Sequence, residues 1–216
     1  MRLFGVNWRN NTKGRFKVSL IGLVVFAYLL GSVPSGPILA RLTGAPDPRK
    51  VGSGNIGATN VLRSGGKALG IATLILDILK GLIPALLAVR FLENLTAIAL
   101  VGFLAFLGHL FPIYLKFRGG KGVATAIGVT LILMPKALGV TLLCFFAVAF
   151  LSRMVSAASI TASLLLPFWG WVWGYPRPYV ILSAAMALLI TIRHRANIQR
   201  ILNGTESKLG KDSKTG

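Results

Sequence analysis

The sequence is poor in the residues on which soluble domains, disulfide scaffolds and protein metal sites depend. Its 216 residues include one cysteine, two histidines and five acidic residues, and only 13% are charged. The lone Cys144 excludes an internal disulfide and a cysteine metal cluster. So few histidines and carboxylates argue against a dedicated metal cage, and we expect neither metal nor cofactor. A soluble domain carries roughly a quarter charged residues, so this chain is not expected to be a water-soluble globule.

Long apolar runs are what the chain has instead. Hydrophobic residues make up 54% of it, and at least five stretches approach the roughly 20 residues that cross a membrane. The 24 Lys and Arg give a net charge of +19, which by itself would suggest nucleic acid. No basic stretch is free of long apolar neighbours, however, so nucleic acid is not an expected partner. The composition predicts an all-α, polytopic integral membrane helix bundle.

About seven transmembrane helices, two of them short, are predicted in one domain over residues 18–200. Pro135 and Lys136 divide the apolar stretch 123–151 into two short helices, and a single long helix is the alternative. The Gly and Pro residues of GSVPSG predict a kink or close packing within the first span. Residues 1–17 are read as a basic N-terminal extension and 201–216 as a polar tail. The other spans are expected at about 18–40, 68–89, 95–115, 155–173 and 178–192.

The distribution of positive charge favours the seven-helix count. With seven spans, segments 41–67, 116–121, 153 and 193–216 share one face, which then holds 15 of the 24 Lys and Arg. Positive residues accumulate in short cytoplasmic loops, so this face is expected to be the cytoplasmic one. The basic extension then lies on the opposite side, against that rule. One long helix at 123–151 would instead move the six basic residues of the tail to the opposite side.

A first motif, VGSGNIGATNVLR at residues 51–63, follows the first span. Its glycines allow backbone N–H groups to point into one cavity, forming a nest for an anion. Hydroxyl and amide side chains add donors, and Arg63 can hold phosphate oxygens through its guanidinium fork. The alternative is a flexible turn followed by a helix cap. The expected phosphate-binding residues are Gly52, Ser53, Gly54, Asn55, Thr59 and Arg63.

A second motif, FRGGKGVAT at residues 117–125, follows the third span. Lys121 stands among Gly119, Gly120 and Gly122, immediately before a helix whose first N–H groups lack partners. Such a helix start is a suitable anion site. The motif departs from the nucleotide P-loop, which needs Ser or Thr directly after the lysine. The alternative is a basic loop that contacts anionic lipid head groups.

A tail motif, RHRANIQRILNGTE at residues 193–206, follows the last span. His194 and Asn197 are three residues apart and would share a helix face. A solvated basic helix end is the alternative. Ser156 is expected near the same face, as a packing residue or a donor to a polar substrate. Asp77 and Lys80 inside the second span are read as a neutralising pair, and His109 as a packing residue.

Two cation-bearing glycine loops on one face imply a phosphorylated ligand beside apolar helices that can accommodate an acyl chain. An enzyme that joins a lipid chain to a phosphate-bearing molecule and a transporter of an organic phosphate both fit. A transporter would place polar residues near the bilayer midplane, often in repeated halves. The polar motifs stand at span ends and no repeat is evident, so the enzyme is favoured.

Taken together, the three motifs, with GSVPSG and SAASIT, closely resemble the PlsY family of bacterial acyl-phosphate:glycerol-3-phosphate acyltransferases. The likeness runs from about residue 20 to Glu206. It implies a multi-pass enzyme of the bacterial cytoplasmic (inner) membrane with its site facing the cytoplasm. The enzyme would move an acyl group from acyl phosphate to the sn-1 hydroxyl of glycerol 3-phosphate, giving lysophosphatidic acid and phosphate. Expected partners are these two substrates and membrane lipids.

The resemblance implies catalytic roles for Ser53, Arg63, Lys121, His194 and Asn197, with Glu206 as a supporting residue. The other glycine-motif residues and Ser156 would bind substrate. His194 is the first candidate for a general base because its titration midpoint is near neutral. Transfer of the hydroxyl proton to a substrate phosphate is slightly favoured over it, which leaves His194 a binding residue. A covalent acyl-enzyme at Ser53 is a third, weaker hypothesis.

Overall fold

The computed structural model describes residues 19–209, in which every regular element is helical. The basic extension predicted at residues 1–17 and the end of the tail, from residue 210, lie outside this range. The helices are α1 Leu20–Ser32, α2 Ser35–Thr43, α3 Ala58–Gly65, α4 Lys67–Phe91, α5 Leu95–Leu110, α6 Val123–Leu133, α7 Pro135–Ser152, α8 Val155–Val172, α9 Arg177–Arg193 and α10 Arg195–Leu202.

Four described helices are long and apolar enough to cross a membrane: α4, α5 with the turn that extends it to Leu115, α7 and α8. The pairs α1–α2 and α9–α10 raise the number to six if each bent pair is one span. The apolar α6, with 11 residues, is shorter than these spans. Counting it as a short seventh span gives the predicted architecture.

The predicted division of residues 123–151 is confirmed, because α6 ends at Leu133 and α7 begins at Pro135. Proline lacks the backbone N–H that a helix interior needs, but it is well suited to the first helical position. The expectation that both pieces are short is correct only for α6. The second piece, α7, has 18 residues and meets the length of a span.

Two sharp bends shape the end of the bundle that carries the motifs. The kink predicted in the first span is a 46° bend between α1 and α2, and α9 meets α10 at 59°. The second bend turns α10 back over the bundle, where it contacts α8 and α9. The backbone N–H of Leu209 then donates to the carbonyl of Arg153 at 2.6 Å. The domain boundary expected at residue 200 therefore falls inside a packed helix.

Small residues allow the central helices to approach closely. A Cβ atom placed on Gly31 of α1 would lie 2.1 Å from the carbonyl oxygen of Ala105 on α5. One placed on Gly108 of α5 would lie 2.4 Å from the carbonyl oxygen of Tyr28. Small residues at helix interfaces are typical of membrane bundles, where van der Waals packing drives association. This packing fixes α5, whose C-terminal end supports the second motif.

Candidate active site

Asn60, a buried residue of α3, organises the first motif. Its amide nitrogen donates to the carbonyl oxygens of Pro48 at 2.8 Å, Asn55 at 2.9 Å and Val51 at 3.1 Å. Its amide oxygen accepts from the backbone N–H of Ser53 at 3.0 Å. Asn60 was not among the site residues predicted from the sequence. The available signal was an asparagine directly before the apolar Val61 on a short helix that follows a glycine-rich loop.

The first motif was expected to form an anion nest from its backbone N–H groups. This prediction is wrong for two of these groups, because both are bonded within the motif. The N–H of Ser53 donates to Asn60, and the N–H of Gly54 donates to the Val51 carbonyl at 3.1 Å. Gly52 has a φ of +58°, and a Cβ there would lie 2.4 Å from the Asn60 amide oxygen. This glycine is therefore needed for the turn itself.

Three polar side chains of the first motif stay exposed above this turn: those of Ser53, Thr59 and Arg63. The side chain of Asn55 is half-buried, and only its backbone carbonyl is engaged by Asn60. These four polar side chains are the groups of the motif that can meet an anion from solvent. Arg63 lies near enough to the second motif for its positive charge to lower the pKa of Lys121.

The second motif rests on the C-terminal end of α5. The N–H groups of Gly119 and Gly120 donate to the carbonyls of Leu110 at 3.2 Å and His109 at 3.1 Å. A Cβ on Gly120 would lie only 2.1 Å from Nε2 of His109. These glycines therefore serve close packing, and their N–H groups are not available to an anion. Lys121 follows them, directly before the N-terminus of α6.

Arg193, the last residue of α9, reaches the same loop. Its Nε donates to the carbonyl of Gly120 at 3.0 Å, and its Nη2 donates to the carbonyl of Gly119 at 2.5 Å. The guanidinium carbon lies 5.9 Å from the centre of the Phe111 ring. Arg193 was not among the site residues predicted from the sequence.

A chain of side-chain hydrogen bonds joins the second motif to the tail motif. Lys121 Nζ donates to the amide oxygen of Asn197, whose amide nitrogen donates to Glu206 Oε1 at 2.7 Å. Ser156 donates to the same carboxylate oxygen at 2.7 Å. Arg200 Nε donates to the other oxygen, Oε2, at 2.7 Å. Glu206 therefore fixes the orientation of the Asn197 amide, so that its oxygen faces Lys121.

Burial and neighbouring charges shift the pKa values of Lys121 and Glu206, the ionisable groups at the two ends of this chain of hydrogen bonds. Burial lowers the pKa of Lys121 to about 8, while Glu206 raises it and Arg200, Arg63 and Arg193 lower it. Burial alone would raise the pKa of Glu206, but hydrogen bonds from Ser156, Asn197 and Arg200 outweigh it and leave the pKa below its usual range. The site therefore holds a carboxylate and a readily deprotonated lysine.

His194 lies at the bend between α9 and α10, with 3% of its surface exposed. Its Nδ1 is 2.8 Å from the carbonyl oxygen of Ile190, so Nδ1 carries the proton and the lone pair is on Nε2. Burial, followed by the charge of Lys121, lowers the pKa of His194 to about 4. The imidazole is therefore neutral at physiological pH, and a weaker base than its ordinary midpoint suggested.

A buried polar cluster lies beneath the second motif. The predicted pair is present, with Lys80 Nζ 2.9 Å from Asp77 Oδ1. Lys80 also donates to the carbonyl of Val33 at the α1–α2 bend, at 3.0 Å. His109 Nδ1 is 3.8 Å from Asp77 Oδ1. The cluster thus connects the bend to the histidine on which Gly120 rests.

An apolar groove between α6, α7, α8 and α9 begins beside the site. Val123 is two residues beyond Lys121, Ser159 is about one turn beyond Ser156, and Ile190 bonds to His194. Further lining residues are Ala126, Thr130, Phe145, Ala162, Leu166 and Met186. An apolar groove that begins next to a cationic side chain, that of Lys121, suits a molecule with an anionic head and a hydrocarbon tail.

Comparison with known proteins identifies the family. The family model described as glycerol-3-phosphate acyltransferase matches residues 21–204. A glycerol-3-phosphate acyltransferase of Brucella suis (strain ATCC 23445 / NCTC 10510) is 51% identical over 197 residues, which cover 91% of this chain and 96% of that relative. The chain belongs to the glycerol-3-phosphate acyltransferase family. A further acyltransferase of this name, from Brucella anthropi, is 48% identical over 198 residues.

Two solved structures resemble this acyltransferase closely. The crystal structure of PlsY (YgiH), an integral membrane glycerol 3-phosphate acyltransferase, has a TM-score of 0.85 in its glycerol 3-phosphate form, with 42% identity. The lysophosphatidic acid form of PlsY has a TM-score of 0.81 and 40% identity. Both matches cover 89% of this chain and 96% of the solved chain. The resemblance read from the three motifs is confirmed, and the chain is a multi-pass membrane acyltransferase.

The structure brings together many, but not all, of the residues expected at the acyltransferase site. Lys121, Ser156 and Asn197 are linked through Glu206, and His194 is buried near Lys121. The side chains of Ser53, Thr59 and Arg63 make no hydrogen bond or ion pair with this group, although the positive charge of Arg63 lowers the pKa of Lys121. No cluster of three His, Cys, Asp or Glu that could hold a metal occurs within residues 19–209.

Proposed function

We propose that the chain transfers a fatty acyl group from acyl phosphate to the sn-1 hydroxyl of glycerol 3-phosphate, giving lysophosphatidic acid and phosphate. The observation that carries this proposal is the Lys121–Asn197–Glu206 chain, which joins two motifs beside an apolar groove. The relatives named glycerol-3-phosphate acyltransferase, and the forms in which PlsY was solved, support the acceptor and the product. The acyl phosphate donor follows from the resemblance of the motifs.

The proposed reaction needs no external reactant. The acceptor hydroxyl oxygen attacks the carbonyl carbon of acyl phosphate, an ester C–O bond forms, and the bond from that carbon to the bridging oxygen breaks. The leaving phosphate takes the electron pair of the broken bond and the hydroxyl proton, and departs as hydrogen phosphate. Alignment of the two substrates in one site supplies several kcal/mol, up to roughly 7–11 in ideal cases.

The residues take distinct roles in this proposal. Lys121 and Arg63 reduce the repulsion between the two phosphates and stabilise the charge that develops on the leaving group. The lone pair on Nε2 of His194 accepts a hydrogen bond from the acceptor hydroxyl, which orients it for attack. With its pKa lowered to about 4, His194 is a poor holder of the proton, which favours transfer to the leaving phosphate.

The remaining residues of the motifs bind and position the substrates. Ser53, Asn55 and Thr59 of the first motif donate to phosphate oxygens, and Ser156 and Asn197 fix the position of Lys121. The acyl chain lies in the groove between α6 and α9. Glu206 belongs to the site although it lies in the segment predicted as a separate tail. The site therefore lies within one folded unit that contains residues 19–209.

We further propose that the site faces the cytoplasm from the bacterial inner membrane. The support is the distribution of Lys and Arg, of which 15 of 24 fall on segments that the seven-helix topology assigns to the side of the motifs. Glycerol 3-phosphate, a charged and water-soluble substrate, would reach the site from that side.

Purified protein supplied with glycerol 3-phosphate and one acyl donor at a time tests the proposed function. Lysophosphatidic acid should form with acyl phosphate, and not with acyl-CoA or acyl carrier protein thioester. Lys121→Met should lose this activity, while the exposed Lys116→Met in the same loop should retain it. Activity with acyl-CoA alone, or uptake of glycerol 3-phosphate into sealed vesicles without new lipid, would contradict the proposal.

A further inference from the structure

Arg193 is turned inward at a position where basic side chains ordinarily point to water. Lys and Arg at the ends of membrane helices extend towards the head groups, with their charge in water. Arg193 instead directs two of its N–H groups at the carbonyls of Gly119 and Gly120. The neighbouring Arg195 is exposed, as is usual for a basic residue at the end of a membrane helix.

The geometry of the contact suits an arginine in particular. A guanidinium presents several N–H donors in one rigid plane, so it can bridge two adjacent carbonyl oxygens at once. The Phe111 ring lies beside the guanidinium, with its centre 5.9 Å from the central carbon, and limits where the side chain can lie. A lysine would carry the same charge as a single point and could not reproduce the planar fork.

Arg193 completes the fixation of the loop that leads into Lys121. The N–H groups of Gly119 and Gly120 are bound to the end of α5, and their carbonyls are bound to Arg193. Both sides of each glycine are thereby held, although glycine is the residue with the greatest backbone freedom. The two carbonyl oxygens, which would repel a phosphate, face the guanidinium instead.

We propose that Arg193 is a positioning residue for Lys121: it clamps the Gly119–Gly120 backbone, turns its carbonyls away from the phosphate, and makes no contact with substrate. The inference rests on the proposed function, since it assigns Lys121 to a substrate phosphate. It differs from a role for Arg193 as a phosphate ligand, because the two donors it uses are engaged by backbone oxygens.

Steady-state kinetics of Arg193→Met, Arg193→Lys and the control Arg195→Met test the proposal. Arg193→Met should lower kcat/KM by more than about tenfold. Most of this loss should be a higher KM, for the same substrate whose KM rises in Lys121→Arg. Arg193→Lys should recover part of this loss, and Arg195→Met should stay within about twofold of wild type. A loss confined to kcat in Arg193→Met, when Lys121→Arg raises a KM, would show that the two residues serve different steps and would overturn the proposal.

A double-mutant cycle shows whether Arg193 acts through Lys121. If it does, combining Arg193→Met with Lys121→Arg should cost clearly less than the product of the two single effects. Strictly multiplicative effects would show that the two residues act independently, and would overturn the proposal.

Amide hydrogen exchange of the substrate-free protein tests whether Arg193 fixes the loop, independently of any effect on activity. Arg193→Met should accelerate exchange at the amides of Gly119 and Gly120 while the amides of α4 and α8 keep wild-type protection. Unchanged exchange at the two glycines would overturn the clamp even in an active enzyme. Wild-type protein that forms no lysophosphatidic acid would instead refute the proposed function, and the exchange result would still decide whether Arg193 fixes the loop.

Discussion

Lys121 donates a hydrogen bond to the side-chain oxygen of Asn197, a residue 76 positions further along the chain. The same amide donates through its nitrogen to Glu206, so it cannot rotate without losing both contacts. One asparagine thus couples the cation of the second motif to the carboxylate of the tail. This link makes the two motifs parts of one site.

Replacing Asn197 should therefore lower kcat/KM by more than the small size of this side chain suggests. A hydrogen bond to a charged group contributes about 1.5–3 kcal/mol, so Asn197→Ala should lower kcat/KM roughly 10- to 100-fold. The control is Asn203→Ala, at the exposed end of α10. Steady-state assays of lysophosphatidic acid check both variants. Equal kcat/KM values for Asn197→Ala and Asn203→Ala would show that the hydrogen bonds of Asn197 do not contribute to the reaction.

The activity should depend on the ionisation of Lys121. Burial lowers its pKa to about 8, so the ammonium group loses its charge as the pH rises through that value. Because kcat/KM reports the free enzyme, it should fall above about pH 8. Lys121→Arg keeps its charge in this range and should lack the fall, even if its activity is lower. The same alkaline fall in both proteins, after correction for uncatalysed hydrolysis, would contradict this assignment.

Gly120→Ala should displace the second motif from α5. Its Cβ would lie 2.1 Å from Nε2 of His109, and overpacking of this kind costs about 1–3 kcal/mol. We expect a lower melting temperature in detergent together with a raised KM for a phosphate substrate. Gly139→Ala in α7 is the matched control, because its Cβ would meet no atom within 4 Å. A Gly120→Ala enzyme with wild-type stability and KM would refute the close contact.

The Asp77–Lys80 pair should matter to stability chiefly because both groups are buried. Lys80→Met leaves a buried carboxylate without its partner, and breaking such a pair costs about 3–5 kcal/mol. Adding Asp77→Val should restore part of that loss, since neither charge then remains. Unfolding in detergent measures both effects, with the exposed Lys136→Met as the control. A double variant less stable than Lys80→Met would contradict the pairing.

Local rules of helix formation made much of the fold predictable. The division of residues 123–151 followed from Pro135, and the bend in the first span from the Gly and Pro residues of GSVPSG. The expected ends of the other spans lie close to the helices found. The length of α7 was misjudged, because its apolar sequence continues smoothly to Ser152.

The contacts within the site were harder to predict, because they join distant parts of the chain. The inward turn of Arg193 depends on where α9 ends relative to the second motif, and a basic residue at a helix end ordinarily faces water. Asn60 was missed since its four bonds depend on the path of the preceding loop. Gly119 and Gly120 were expected to bind substrate, but their N–H groups donate to carbonyls of α5, a contact that the local sequence of the second motif does not reveal.

The fate of the bridging oxygen in acyl phosphate tests the central claim most directly. Purified protein is given glycerol 3-phosphate and acyl phosphate with a heavy-oxygen label at the bridge, and both products are analysed by mass spectrometry. Attack at the carbonyl carbon predicts lysophosphatidic acid and phosphate in equal amounts, with all of the label in the phosphate. Label retained in a fatty acid, or phosphate released without lysophosphatidic acid, would contradict acyl transfer at this site.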